Sequence, residues 1–230
     1  MKKDSPYYTL SKNLLKETLL FKQMDNELFE EALSHLFPLC LPKKTIIEPY
    51  QTQKYIFVIV KGRVKVSQTN HEGREYIISL LNTGDIFDIV SFLDGKPHEV
   101  IIETIDKTVL LKADIDFAKK WLETHPEFYK NLLPYLGNRM REVEENAFNL
   151  SLYDTMTRLS RLILKNTGDD GINVKNIHDL SHETIAKMIG SVRKVVNLNI
   201  QKLKKEEVIN YSNRKLTIKN LKKLIKIAKF

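Results

Sequence analysis

The sequence predicts an α+β chain: an N-terminal antiparallel β-roll of the jelly-roll type, a long dimerisation helix, and a C-terminal winged helix-turn-helix. Three observations predict it. Gly62, Gly73, Gly84 and Gly95 punctuate a β-rich stretch at equal eleven-residue intervals, the turn rhythm of rolls, barrels and sandwiches. An apolar a/d spacing follows, from Tyr129 to Leu150. Beyond it, positive charge gathers at the C-terminal end.

Composition sets the frame. Of 230 residues, 42% are hydrophobic, enough for ordinary globular cores. No run approaches the roughly 18 apolar residues that cross a bilayer. The start, Met1 to Pro6, turns polar at once and lacks the apolar centre of a signal peptide. A cytoplasmic protein without membrane contact is expected. The single cysteine, Cys40, cannot form an internal disulfide, an iron–sulfur cluster or a thiolate zinc site. Among Leu36, Phe37, Pro38, Leu39 and Leu41 it reads as a small buried hydrophobe. The net charge is +8, yet from Arg193 to Phe230 twelve Lys and Arg face only Glu206 and Glu207. The preceding chain is therefore slightly acidic, at −2. A near-neutral body with a basic end fits a polyanion-binding module joined to something else.

Residues 11 to 39 read as helical, with Asp25 as an N-cap and Pro38 and Pro42 as punctuation. From Thr45 the pattern becomes short β runs: Thr45–Ile47, Tyr55–Val60, Val64–Gln68, Tyr76–Leu81, Val100–Thr104 and Val109–Lys112. Tyr55–Val60 is apolar throughout, as a strand covered on both faces is, whereas Val64–Ser67 alternates. Asp114 should cap a helix from Ile115 to Glu123. Then Tyr129, Leu133, Leu136, Met140, Val143, Ala147 and Leu150 recur at 4-3 spacing, the seam of a coiled coil. A parallel homodimer is the natural result. Pro134 suggests a helix start or kink, since an interior proline costs roughly 3 kcal/mol. These features divide the chain into residues 1–125, a sensor domain, 126–152, the dimer helix, and 153–230, a DNA-binding domain.

The sharpest signal lies between residues 180 and 218. Ser181 is a good N-cap, Ile185, Ala186, Met188 and Ile189 form a short apolar face, and Gly190 ends the helix. Ser191 should cap the next helix, with Val195, Val196, Ile200 and Leu203 inward. Two short helices joined by a tight glycine turn make a helix-turn-helix. Its second helix enters the major groove and reads bases with its first turns. Ser181, Ser191, Arg193, Lys194 and Asn197 are the expected contacts: Arg or Lys suits guanine, Asn suits adenine, and Ser suits phosphate. Val208–Tyr211 and Lys215–Ile218 then form a hairpin wing, with Arg214 and Lys215 near its tip to meet phosphates.

On these segments the chain resembles the CRP/FNR family of bacterial transcription regulators over nearly its whole length. The similar stretches are Tyr55–Val66, Leu81–Phe87, Leu180–Ala186 and Gly190–Arg193. The resemblance implies an effector-sensing β-roll, a homodimer on a near-palindromic operator in duplex DNA, and RNA polymerase as a further partner. It also places an effector pocket at Phe87, Asp88, Ile89, Val90, His98 and Glu99. Cyclic-nucleotide-binding members carry there a Gly-Glu pair for the ribose and an Arg-Ser pair for the phosphate. Here Asp88-Ile89 and His98-Glu99 occupy the matching positions. Ile89 cannot accept a hydroxyl's hydrogen bond, and Glu99 adds negative charge beside a phosphate. At about 4 Å and an effective dielectric of about 20, each such charge interaction is on the order of 4 kcal/mol. Tight cAMP binding is therefore not expected. Cysteine count excludes the iron–sulfur sensing of another branch. Haem stays open, because six histidines (His35, His71, His98, His125, His178 and His182) are present and no spacing singles one out.

The family's base-reading Arg-Glu pair and later Arg are matched by Arg193, Lys194 and Leu198, so the operator is not inherited. No P-loop, dinucleotide fingerprint, HExxH or nucleophile elbow occurs. Asp88, His98 and Glu99 as an acid/base cluster lack a nucleophile or metal partner, and an enzyme is not expected. The alternative is a sensor module whose basic tail binds RNA or a protein.

Overall fold

The computed structural model describes residues 1–2, 4–212 and 215–229. It forms two compact units, Met1–Gln68 with Ile78–Arg141, and Thr69–Ile77 with Glu142–Phe230.

The first unit begins with α1 (Tyr8–Leu15) and α2 (Asn26–Ser34), followed by β1 (Phe37–Leu41), β2 (Ile46–Ile47) and α3 (Pro49–Lys54). Then come β3 (Tyr55–Lys61), β4 (Val64–Thr69), β5 (Glu75–Leu81), β6 (Ile86–Phe87) and α4 (Ile89–Asp94). Next are β7 (Ile101–Thr104), β8 (Thr108–Asp114), α5 (Ile115–Thr124) and the long α6 (Tyr129–Leu152), of which the part beyond Arg141, like the start of β5, belongs to the second unit. Two four-stranded sheets result, ordered β1-β8-β3-β6 and β2-β7-β4-β5. β3 runs antiparallel to β8 with Val58 opposite Leu111.

The continuous apolar run of β3 has a physical reason. Phe57 and Ile59 enter a cluster shared by both sheets, with Val64, Leu81, Phe87, Ile102 and Leu110. Val58 and Val60 face the other way, into a core built with Leu15, Phe29, Leu33, Leu111, Phe128 and Leu132 from the helices and β8. The period-2 alternation of a strand thus feeds two cores. In β4, Val64 and Val66 go inward while Lys65 pairs with Glu103 at 2.9 Å.

Asp25 and Asp114 cap their helices, accepting from the N–H of Glu27 and from those of Asp116 and Phe117. All four evenly spaced glycines take positive φ. At Gly84, φ is +87° and a Cβ would fall 2.3 Å from Thr18 Cγ2. Only glycine fits that approach.

Three expectations need correction. The stretch 11–39 is not helical to its end: helix stops at Ser34, and Phe37–Leu41 is the edge strand β1. Leu33 and Leu36 continue a helical spacing and Pro38 argues against a strand, but an edge position needs no partner for the missing N–H. Cys40, on that edge, is exposed rather than buried, and its thiol donates to Tyr7 Oη at 3.0 Å. Finally, Pro134 does not start α6, which begins at Tyr129 and runs through it. Lys130 and Pro134 are both exposed, so the turn that loses a backbone bond lies at the surface.

One face of α6 is anchored. Asn131, Leu132 and Tyr135 are buried. Asn131 Nδ2 donates to the Leu20 carbonyl at 3.0 Å, and the Ile86 N–H donates to Tyr135 Oη at 3.0 Å. Burial, first, and then the Asp85 charge push the Tyr135 phenol well above its ordinary value, so it stays protonated. The seam residues lie on another face. Leu133 is 62% exposed, Met140 65% and Val143 52%. Ala147 and Leu150 are exposed as well, while Leu136 packs partly against the first unit's core.

Gly84→Ala tests the packing of the turn. Positive φ alone costs an L residue about 1–2 kcal/mol, and the Thr18 overlap adds to that. Urea unfolding should show a loss above about 2 kcal/mol; stability within about 0.5 kcal/mol of the parent chain would contradict the arrangement.

Candidate functional site

The second unit contains α7 (Thr155–Lys165), α8 (His182–Met188), α9 (Arg193–Lys205), β9 (Ile209–Ser212), β10 (Lys215–Ile218) and α10 (Leu221–Ala228). Asp154 caps α7 by accepting from Thr157 N–H, and that bond holds its carboxyl below the usual range. Ser181 caps α8 as the sequence predicts, accepting from Thr184 N–H at 3.1 Å. Gly190 makes the turn at φ +58°, where a Cβ would meet Leu150 Cδ2 at 2.6 Å. Ile185, Ala186, Val196, Ile200 and Leu203 form the buried inner faces of the two helices.

Ser191 does not cap α9. The N-cap is Val192, without a side-chain bond, and Ser191 N–H returns to the Ala186 carbonyl at 2.9 Å. The turn therefore ends one residue later than the serine suggests. Among the described residues, no side chain caps the start of α9, a disposition that suits a phosphate oxygen. Arg193, Lys194, Asn197 and Leu198 are all exposed on its opening turns. Ser181 is exposed and Ser191 half-buried. β9 and β10 pair antiparallel, Ser212 opposite Lys215, and Lys215 is exposed at the wing's tip. Arg214 lies outside the described residues.

His182 borders this face. Burial, first, and then the Arg193 charge hold its imidazole below the ordinary histidine value, with Asn197 pulling the other way. It is uncharged at neutral pH, so positive charge here comes from Arg193 and Lys194.

Two features were not legible in sequence. Lys187 is committed to Glu75 at 2.9 Å and Glu183 at 3.0 Å, which raises its pKa. Arg161 is buried, its guanidinium donating to the Ala228 carbonyl at 2.9 Å, Asn149 Oδ1 at 3.2 Å and Tyr153 Oη at 3.2 Å. It also stacks over the Tyr153 ring at 4.2 Å. It closes the C-terminal end of α10, where a cation complements the helix dipole.

The residues expected around an effector do not converge on one pocket. Phe87 is 1% exposed between the sheets and stacks on Phe57, with centroids 4.7 Å apart at 13°. These rings fill the roll's interior. Asp88 adopts a left-handed conformation, φ +56°, at the position matching the family's glycine. Aspartate tolerates that region better than most residues. Its carboxylate, 4% exposed, accepts from Ser91 Oγ at 2.8 Å and meets His98 Nδ1 at 3.1 Å. Ile89 turns instead into a separate apolar cavity beside the helices. Val90 is 50% exposed and Glu99 faces solvent. None of the six histidines lines that cavity. Among the described residues, no group of three or more His, Cys, Asp or Glu is placed to hold a metal ion. No described helix is long and apolar enough to cross a membrane.

Comparison with known proteins agrees with this geometry. Residues 40–125 match the cyclic nucleotide-binding domain model and residues 157–227 the Crp-like helix-turn-helix domain model. The chain is 25% identical over 183 residues to the CRP-like cAMP-activated global transcriptional regulator of Mycobacterium tuberculosis, covering 77% of this chain and 82% of that protein. It is 28% identical over 205 residues to the global nitrogen regulator of Synechococcus elongatus, covering 84% and 91%. The fold is similar to that of the c-di-GMP responsive global regulator CLP of Xanthomonas campestris. There the TM-score is 0.71 at 15% identity, over 84% of this chain and 99% of that one.

Ser181→Ala removes the cap of α8. An N-cap of this type contributes about 1 kcal/mol, so the variant should unfold at lower urea concentration by that amount, followed by circular dichroism. Unchanged stability would mean that the Ser181 bond contributes nothing.

Proposed function

The chain belongs to the CRP/FNR family of transcription regulators, and from that premise we propose that it is a sequence-specific DNA-binding homodimer whose control does not depend on cAMP. Residues 1–125 act as sensor, 126–152 as dimer helix and 153–230 as DNA reader. The cell compartment is the cytoplasm, and RNA polymerase is the partner at the promoter. The observation that carries the reading is the exposed set Arg193, Lys194 and Asn197 on the uncapped start of α9, beside an exposed Lys215 on the wing.

Two such helices read one operator when they lie about 34 Å apart, one turn of DNA. The stripe Leu133, Met140, Val143, Ala147 and Leu150 supplies the dimer axis. An effector shifts the reading state only by its differential affinity for the two states. The nucleotide position argues against cAMP. The Asp88 carboxylate is buried against Ser91 and His98, Glu99 faces solvent, Ile89 offers no acceptor, and Phe57 stacked on Phe87 fills the interior.

Selection of bound sequences from a random duplex pool, without effector, tests the reading. A near-palindrome with half-sites about one helical turn apart is expected. Weak, salt-sensitive binding without sequence preference, with or without cell extract, would contradict it. On the selected operator, Arg193→Ala should cost about 1–3 kcal/mol and relax specificity at one position. An equal loss on operator and random DNA would make Arg193 a phosphate contact only. Calorimetry should register no cAMP binding at micromolar concentrations, and a saturable micromolar isotherm would overturn that part.

A further inference from the structure

The first unit contains an apolar cavity of about 100 Å³, lined by aliphatic, aromatic and methionine side chains. Its walls come from five directions: Met24 near α2, Ile89 and Phe92 of α4, Trp121 of α5, Leu132 of α6, and the strands β3 and β8. Protein interiors are close-packed, and voids larger than a water molecule are few. A partly open hollow of this size leaves its lining atoms short of contacts, and its walls offer almost nothing to a water, which needs two to four polar contacts. Trp121 shows how strictly polar groups are kept out. Its ring lines the cavity, while its indole N–H donates outward to Glu31 at 3.1 Å.

We propose that this cavity is a binding site for a small uncharged apolar molecule, of the class of a benzene ring or a short branched alkyl group. Size and chemistry both select that class. A dry apolar cavity of about 150 Å³ accommodates benzene, and here Met24 and the leucines can adjust by rotamer changes. A ligand with a hydroxyl or charge inside would leave it without a hydrogen bond, at the full cost of its desolvation. Cyclic nucleotides are excluded on both grounds. The position also matters for regulation, a consequence that rests on the proposed DNA-binding function. Ile89 and Phe92 belong to the short helix directly after Asp88, and Leu132 belongs to α6 next to the seam residue Leu133. An occupant touches both elements at once, which makes the effector lipophilic.

Trp121 is the chain's single tryptophan, so its fluorescence reports the site without DNA. Benzene titrated into the full-length protein should change the emission saturably and raise Tm, because a ligand bound only to the folded state stabilises it. Phenol, of similar size, should bind at least tenfold more weakly. Ala118→Leu, which adds an isopropyl group to the cavity wall, should abolish the response while keeping the helical circular dichroism. Should that variant not fold, Ala113→Val fills the opposite wall and serves the same purpose. No saturable change up to the aqueous solubility of benzene, equal binding of phenol, or an undiminished response in the folded filled variant would overturn the proposal. None of these outcomes depends on the DNA selection, so the two readings fail separately.

Discussion

An apolar stripe standing in water on one face of α6 is the constraint around which the molecule is arranged. Leu133, Met140 and Val143 are each more than half exposed, at the 4-3 spacing that matches a second helix of the same kind. The stripe cannot turn inward, because another face of the helix is already fixed. Asn131 and Tyr135 are tied by hydrogen bonds to the Leu20 carbonyl and the Ile86 N–H, and Leu132 is buried between them. Rotating α6 to hide the stripe would break those bonds and leave buried polar groups unpaired, at about 1–3 kcal/mol each. Under the proposed function, a partner helix covers the stripe. In the proposed dimer it also sets the distance between two recognition helices.

The same anchoring ties α6 to the turn that follows β5. Tyr135 meets Asp85 and Ile86, the residues leading through Phe87 to Asp88. A change in that loop is thus one hydrogen bond away from α6. The loop itself is held by Asp88, whose buried carboxylate gathers Ser91 and His98. That arrangement stands at the positions where the family resemblance implies a phosphate-binding pair. The roll's inner volume is occupied by the stacked rings of Phe57 and Phe87. Room for a ligand persists instead among the helices outside the first sheet.

Much of the architecture was legible because it is written in local chemistry. Glycines that must take positive φ, caps such as Asp25, Asp114 and Ser181, and the period change from β3 to α6 each act within a few residues. The exposed Arg193, Lys194 and Asn197 followed from the helical spacing of their buried neighbours. What was missed depends on residues far apart in sequence. β1 looked helical because Leu33 and Leu36 keep a helical spacing, and only its pairing with β8 makes it a strand. Cys40 was misjudged for the same reason, since an edge strand decides its exposure. Ser191 has the chemistry of a cap, but the turn through Gly190 places Val192 there instead. Arg161 at the end of α10 and Lys187 between Glu75 and Glu183 depend on partners that no local pattern announces.

The most direct test of this account is the mass of the protein in solution, by sedimentation equilibrium, for the parent chain and for a Met140→Glu, Val143→Glu double variant. Two carboxylates on the stripe would face their symmetry mates across a parallel seam, where like charges repel. The account predicts a dimer at micromolar concentration for the parent chain. It predicts a folded monomer, with unchanged helical circular dichroism and Trp121 emission, for the variant. A monomeric parent chain, or a variant that remains dimeric, would contradict it.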